Sequence, residues 1–404
     1  MKEKFRTESI VSEVRYEENK LLSFHKGNEV ISSYRFHQDN KVGIHCQVGE
    51  ISEEEGFARA KQNLDRARPY PFELETGRRN RDKTERMVTD KELMDIAKEC
   101  MQYLCENYPR FTFSSEFDQN RVVSRRSNDK GLDYSNTDCS VNVNVSFKHV
   151  ESKDISDGSF GFSLRNFDKK VFFRMADDYL GSYEKEVSLP EEIIIDTQYY
   201  GLVGRFSGYL NAENLVLGTS LLSGKIGEKV FSEDFTLMHD VSDEECWFNC
   251  FWDGDGCVTE NDRRILIDKG VIVTGYADKR IAAKYGVPHT GNAYCDFADI
   301  PGPGGVNFRI ARSKKTVKEL LCGRCCVIPV QCSGGGFADN GDYTMPVHCS
   351  LLYDGEKVLG KLPPFTMVSN IFNMFGKDFI GVGSDNPIFN DKQILFRVRK
   401  GNIL

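Results

Sequence analysis

Residues 263–276 read R-R-I-L-I-D-K-G-V-I-V-T-G-Y. Two apolar runs flank D-K-G, and the glycine permits the tight reversal that a hairpin needs. Downstream, A-D-K-R-I-A-A-K-Y-G (277–286) predicts a short helix with Lys284 in its last turn and Gly286 as its stop. The turn-rich V-P-H-T-G-N-A-Y (287–294) and G-P-G-G-V-N-F-R-I (302–310) follow. Upstream lie S-G-K-I-G-E-K-V-F-S (223–232) and W-D-G-D-G-C-V-T-E-N-D (252–262). A second hairpin, L-L-Y-D-G-E-K-V-L-G (351–360), carries the strong Asp-Gly turn signal. This half of the chain is expected to be mostly strand.

The N-terminal half mixes strand and helix periods. Residues 8–48 show partial alternation, as in E-V-I-S-S-Y-R-F-H, and predict several strands. A helix is expected from Ser52 to Arg68, with Ser52 as its cap and Phe57, Ala60, Leu64 and Ala67 on one face. Residues 69–88 hold two prolines and then G-R-R-N-R-D-K-T-E-R, a polar linker in this reading. Its basic run is either a phosphate-binding patch or a solvated loop. A capping box, Thr89 to Glu92, opens a second helix with Leu93, Ile96, Ala97, Cys100, Met101 and Leu104 along one side. In C-S-V-N-V-N-V-S-F-K-H-V (139–150), Val141, Val143, Val145 and Phe147 face one way. N-F-D-K-K-V-F-F-R-M-A-D-D-Y-L (166–180) is helical in pattern, as are residues 198–210 and 211–222. The class is α+β, a strand-and-helix N-terminal region followed by a β-rich C-terminal domain. The expected divisions are 1–75, 76–188 and 189–404.

The chain has 404 residues, 40% hydrophobic and 28% charged, enough for a large core without staples. Its net charge of −8 is poorly suited to holding a polyanion, which counts against nucleic acid as a main partner. No apolar run approaches the about 20 residues that span a bilayer. The opening M-K-E-K-F-R-T-E-S-I lacks an apolar core and a cleavage site, so a cytoplasmic location is expected. The thirteen cysteines are then expected to be reduced.

Several stretches invite chemistry. C-G-R-C-C-V-I-P-V-Q-C (322–332) holds four thiols, but no second C-x-x-C or H-x-x-x-H completes a zinc set. It reads instead as a helix end running into a buried strand. W-D-G-D-G-C-V starts like a calcium loop at Asp253 and Asp255, yet Val258 and Arg264 stand where that loop needs Gly and Glu. A plain turn is the simpler reading. No two of the seven histidines are spaced i, i+3 or i, i+4, so no single helix offers two imidazoles to one metal. In Q-C-S-G-G-G-F (331–337) the glycines let another backbone approach, as a peptide or anion cradle with Cys332 or Ser333 as nucleophile, or as a flexible turn.

The order of these C-terminal pieces resembles the TldD/PmbA (TldD/TldE) family, peptide-processing metalloproteases also named as candidate modulators of DNA gyrase. The pieces that carry the resemblance are the G-E-K-V strand, the D-G-D-G turn, the hairpin ending in G-Y, and the helix with Lys and Arg. T-G-N, the G-G-G stretch and Y-D-G-E-K-V continue it. The likeness covers about residues 190–404 and is weak in motif before that. The D-type subunit of the family carries His-Glu-x-x-x-His on a helix just before the G-E-x-V strand, and a cysteine near its C-terminus. Neither helix here contains a histidine, and G-K-D-F-I-G-V-G-S-D-N-P-I (376–388) has no cysteine. The resemblance therefore implies the PmbA (TldE) type, with no catalytic residue, metal ligand or cofactor of its own. It implies a D-type zinc subunit or a second copy as partner, and an extended or unfolded peptide as ligand. Thr290, Gly291, Asn292, Gly334, Gly335 and Gly336 are the expected peptide-lining residues. The alternatives are a self-sufficient hydrolase, using Cys332 or a dispersed metal site, and a stand-alone homodimeric peptide-binding module.

Overall fold

The computed structural model describes residues 1–197, 201–242, 246–387 and 393–401. Residues 198–200 of the helix expected at 198–210 lie outside the described residues, as does Ile388. In the N-terminal half the elements run β1 (Lys2–Glu17), β2 (Lys20–Gln38), β3 (Lys41–Val48), α1 (Glu53–Gln62) and β4 (Arg68–Pro69). Then come β5 (Gly77–Asp82), α2 (Asp90–Asn107), β6 (Phe111–Asn128), β7 (Leu132–His149), β8 (Gly158–Leu164) and α3 (Lys169–Leu180). The strands form one twisted sheet in the order β4-β3-β2-β1-β6-β7-β5, with β8 also on β7. The segments 1–75 and 76–188 thus share a sheet, through β1–β6 pairing from Glu3↔Asn128 to Tyr16↔Ser115.

Local signals start and stop these elements. The Ser52 hydroxyl accepts from Glu55 N at 3.2 Å and opens α1. Thr89 and Glu92 close a reciprocal capping box on α2. The apolar side of α2, with Leu93, Ala97 and Leu104 at 0% exposure, packs with α3 over Phe113, Phe117 and the alternating Val141–Phe147 face. Each such leucine is worth about 1.5–3 kcal/mol of burial.

The segment expected as a polar linker contains β5, which pairs in parallel with β7 from Gly77↔Leu132 to Asp82↔Thr137. Residues 77–82 of its basic run are strand and not loop, while Glu85 and Arg86 beyond it stay exposed outside any element. Alternation turns Arg79 and Arg81 inward. Arg79 forks onto the Asp262 carboxylate, with Nη1 at 2.7 Å from Oδ1. Arg81 donates to Val241 O at 2.7 Å and to Asn249 O at 2.6 Å. Both guanidiniums lie over the Phe251 ring, at 4.2 and 5.4 Å. These cations fasten the N-terminal sheet to the C-terminal half.

That half begins with β9 (Ile193–Thr197) and three short helices, α4 (Gly201–Gly204), α5 (Phe206–Tyr209) and α6 (Ala212–Leu217). There follow β10 (Leu237–Asp240), β11 (Arg263–Asp268), β12 (Val271–Ile272), α7 (Lys279–Tyr285), β13 (Ala293–Tyr294), β14 (Gly302–Pro303) and β15 (Phe308–Ile310). The chain continues through α8 (Val317–Leu321), β16 (Cys326–Cys332), β17 (Gly336–Phe337), β18 (Asp342–Tyr353) and β19 (Val358–Leu362). It ends with β20 (Phe365–Asn370), α9 (Ile371–Met374), β21 (Phe379–Val382) and β22 (Ile394–Gly401). The hairpin at 263–276 is shorter than its pattern: β12 stops at Ile272, and the Tyr276 N–H leaves the sheet to bond Leu210 O at 2.8 Å.

The main C-terminal sheet runs β16-β9-β22-β20-β18-β17, and β16 also pairs with β18, so five of its strands close into a ring. Strand alternation then divides two cores. Ile193, Ile195, Val327, Leu352, Ile394 and Phe396 point into the C-terminal core. Ile194, Cys326, Ile328, Leu351, Tyr353 and Leu395 point outward into the core built from α2, α3 and the N-terminal sheet. The protein is α+β and β-rich, and no described helix is long and apolar enough to cross a membrane.

Candidate functional site

The four-cysteine stretch resolves as structure. Cys322 takes φ 52° to cap α8, Cys325 is half-buried, and Cys326 is fully buried in β16. No metal-capable group forms there among the described residues.

The chain then leaves β16 through Ser333 and the three glycines into β17, the last strand of its sheet order. The glycines have different reasons to be there. A methyl on Gly335 would lie 2.2 Å from Thr344 O, so close backbone approach requires glycine. Gly334 has φ +72°, and both Gly334 and Gly336 face open space. Two hollows, of about 420 and 410 Å³, meet at Leu202, Gly335, Tyr343 and Met345. One extends along α4 and α5 past Gly204, Arg205 and Gly208. The other extends past Pro329, Cys332, Ser333 and Met367. Together they form a groove with a strand edge and glycine backbone on one side and apolar side chains beneath. Arg205 supplies positive charge at one end, over the Tyr209 ring at 5.2 Å and 3.5 Å from Asp339.

Ser333 Oγ lies 2.6 Å from His348 Nε2, a pairing produced by the register that sets Cys332 against Val347. Among the described residues no carboxylate bonds the His348 ring, so the third group that orients a triad imidazole is missing. Cys332 is exposed, yet the protein around its thiol desolvates it and pushes it up to about 11. It is protonated at neutral pH, and the His348 imidazole is engaged by Ser333.

Thr290, Gly291 and Asn292 do not join this groove. The Thr290 hydroxyl accepts from Ala277 N at 2.7 Å and donates to Ala277 O at 3.1 Å. Gly291 has φ +71° and borders a separate cavity of about 360 Å³ between the two halves, walled by Phe5, Arg126, Asp253 and Cys295. Asn292 is 0% exposed. The glycines are thus brought to a groove with Leu202 and Tyr343, while the T-G-N turn lies at the seam between the N- and C-terminal halves.

The helices between Gly201 and Leu217 hold one carboxylate, Glu213, and no histidine or cysteine. That carboxylate is taken by Lys284 Nζ at 3.0 Å and Tyr285 OH at 2.7 Å. These residues do not fit a catalytic zinc, which needs about three donors and an open position. One set of metal-capable side chains does converge elsewhere among the described residues: Asp253, Cys257 and His289. Histidine spacing does not reveal it, because its donors are of three types from two loops.

Residues 192–396 match the family model described as PmbA/TldA metallopeptidase C-terminal domain. An uncharacterized protein of Methanocaldococcus jannaschii is 27% identical over 197 residues, 48% of this chain and 45% of its own length. A protein of Methanothermobacter thermautotrophicus named Metalloprotease is 25% identical over 200 residues, 48% of this chain and 43% of its own length. The match therefore spans less than half of either relative. Over nearly the whole chain the fold is similar to solved structures. TldE from Thermococcus kodakarensis has TM-score 0.79 at 18% identity, covering 99% of this chain and 96% of that one. A candidate modulator of a DNA gyrase from Thermotoga maritima has TM-score 0.79 at 19% identity, covering 99% and 95%. At those identities the likeness speaks for the fold.

Proposed function

The chain belongs to the PmbA/TldA metallopeptidase family, and from that premise we propose that it is a peptide-binding subunit without a catalytic zinc of its own. A zinc-bearing D-type subunit, paired with it through the C-terminal domain, supplies the metal and the base that activates water. This chain supplies part of a channel for an extended or unfolded peptide. The observation that carries the reading is the groove at Gly334–Gly336, where β17 ends its sheet order beside Leu202, Tyr343 and Met345. An extended backbone added there gains main-chain hydrogen bonds, and the hollows on either side take alternate side chains. Bound zinc in such a complex polarises the scissile carbonyl and lowers the pKa of its water. The residues of this chain hold the strand in line and shield it from solvent.

The first test is Gly336→Val. Nothing lies within 4 Å of a Cβ at this position, so folding is expected to be unchanged. The added isopropyl group stands on the groove edge. Binding of a labelled unstructured peptide, followed by anisotropy, should weaken roughly tenfold or more, about 1.4 kcal/mol. Unchanged affinity would count against the groove.

The Ser333–His348 contact favours a second reading, a hydrolase that uses the serine hydroxyl with His348 as base. Ester or peptide turnover by the isolated chain, lost in Ser333→Ala and insensitive to chelators, would support it over the first.

A further inference from the structure

The D-G-D-G turn holds Asp253 rigidly. Its Oδ1 accepts from Asp255 N at 2.9 Å and Cys257 N at 2.8 Å, and its Oδ2 accepts from Ala293 N at 3.0 Å. Turn formation accounts for those bonds. It does not account for the two side chains gathered beside the carboxylate. His289 Nε2 is buried, has no hydrogen-bond partner among the described residues, and lies 4.0 Å from Asp253 Oδ2. The Cys257 Sγ belongs to the same cluster, in which a donor atom from each residue lies within 4.8 Å of the others. On its other side Sγ is 3.3 Å from Glu75 Oε1, which Lys279 Nζ approaches to 2.6 Å. Lys279 also donates to Glu73 O at 2.7 Å, so it keeps a partner if Glu75 turns away.

The chemistry of the donor set selects the ion. A thiolate, an imidazole and a carboxylate suit zinc, whereas calcium and magnesium take all-oxygen shells. Zinc bonds of about 2.0–2.3 Å place tetrahedral donors roughly 3.3–3.8 Å apart, so side-chain rotation closes the observed cluster. We propose that Asp253, Cys257 and His289 bind one zinc ion, with Glu75 as the fourth donor, clamping the 69–76 segment to the C-terminal domain. On binding, the sulfur–zinc bond replaces the sulfur–hydrogen bond, and the Cys257 proton passes to solvent. The site shares no lining residue with the glycine groove, and its role is to hold the two halves together.

The test uses the full chain, stripped with a chelator, loaded with zinc or cobalt, and desalted. Zinc is measured by mass spectrometry and cobalt by its absorption spectrum. The expected result is one metal retained per chain and a thiolate-to-cobalt charge-transfer band that disappears in Cys257→Ser. His289→Gln, at a partly exposed position, should keep the native circular dichroism and bind zinc roughly tenfold or more weakly. Loss of all metal on desalting would overturn the site. So would a thiolate band that survives Cys257→Ser, because another cysteine would then be the ligand.

Discussion

Replacing Arg126 by Met should destabilise the protein by about 3–5 kcal/mol. Arg126 and Glu3 are 4% and 3% exposed, and Nε and Nη2 both reach Glu3 Oε1, at 3.0 and 2.9 Å. The third nitrogen, Nη1, donates to Asp253 O at 3.0 Å and Gly254 O at 2.8 Å. One guanidinium therefore joins β1 and β6 of the N-terminal sheet to the turn of the C-terminal half. Removing it leaves the Glu3 charge buried and two carbonyls without this donor. Arg35 and His37 approach Glu3 Oε2 only to 3.8 and 3.5 Å, which is too far to replace it. Trp252 directly precedes the same turn and reports its opening by fluorescence in a urea titration. A double Arg126→Met, Glu3→Met variant should recover much of the loss, because both charges leave together. Burial alone would raise the Glu3 carboxyl, but the charge of Arg126, with His37 and Arg35 close by, outweighs it and holds it well below the usual range. Its contribution is present above the unfolded value of about 4.3 and is lost as pH falls through the folded one.

Asp196 has the opposite sign. It is 0% exposed on β9, its Oδ2 is 3.8 Å from Cys326 Sγ, and its Oδ1 has no partner among the described residues. Burial pushes its carboxyl up to about 8. Unfolded, it titrates near about 3.9. Between those values the folded state holds a proton that the unfolded state has released. Stability from this group is therefore full below about pH 4 and falls by up to about 1.4 kcal/mol per pH unit toward pH 8. Asp196→Asn removes the proton from the balance. Denaturation at pH 5 and pH 7.5 should show a smaller loss with pH in the variant than in the wild type, by a few kcal/mol. Equal losses in the two proteins would mean that Asp196 is ionised and satisfied in the fold.

Where local chemistry decides structure, the sequence was readable. Ser52 and Thr89 cap their helices, Gly286 stops α7, and Val141–Phe147 alternates as its spacing predicts. Strand β5 was hidden because its inward residues are arginines, whose partners Asp262, Val241 and Asn249 lie far along the chain. The same limit applies to the candidate sites. The glycine run was visible as a place of close approach, but Ser333 meets His348 only through the register of β16 on β18. The Asp253 turn was visible as a turn. Its link to Cys257 and His289 depends on a loop closure that no spacing rule encodes, although the pairing of D-x-x-x-C with a nearby V-P-H was present to be noticed.

The division of labour between this chain and a zinc-bearing relative is tested most directly by peptide cleavage with the two proteins apart and together. The account predicts that this chain alone binds unstructured peptide but leaves it intact, and that chelator-sensitive cleavage begins only when a D-type subunit is added. Chelator-sensitive cleavage by this chain alone would contradict it.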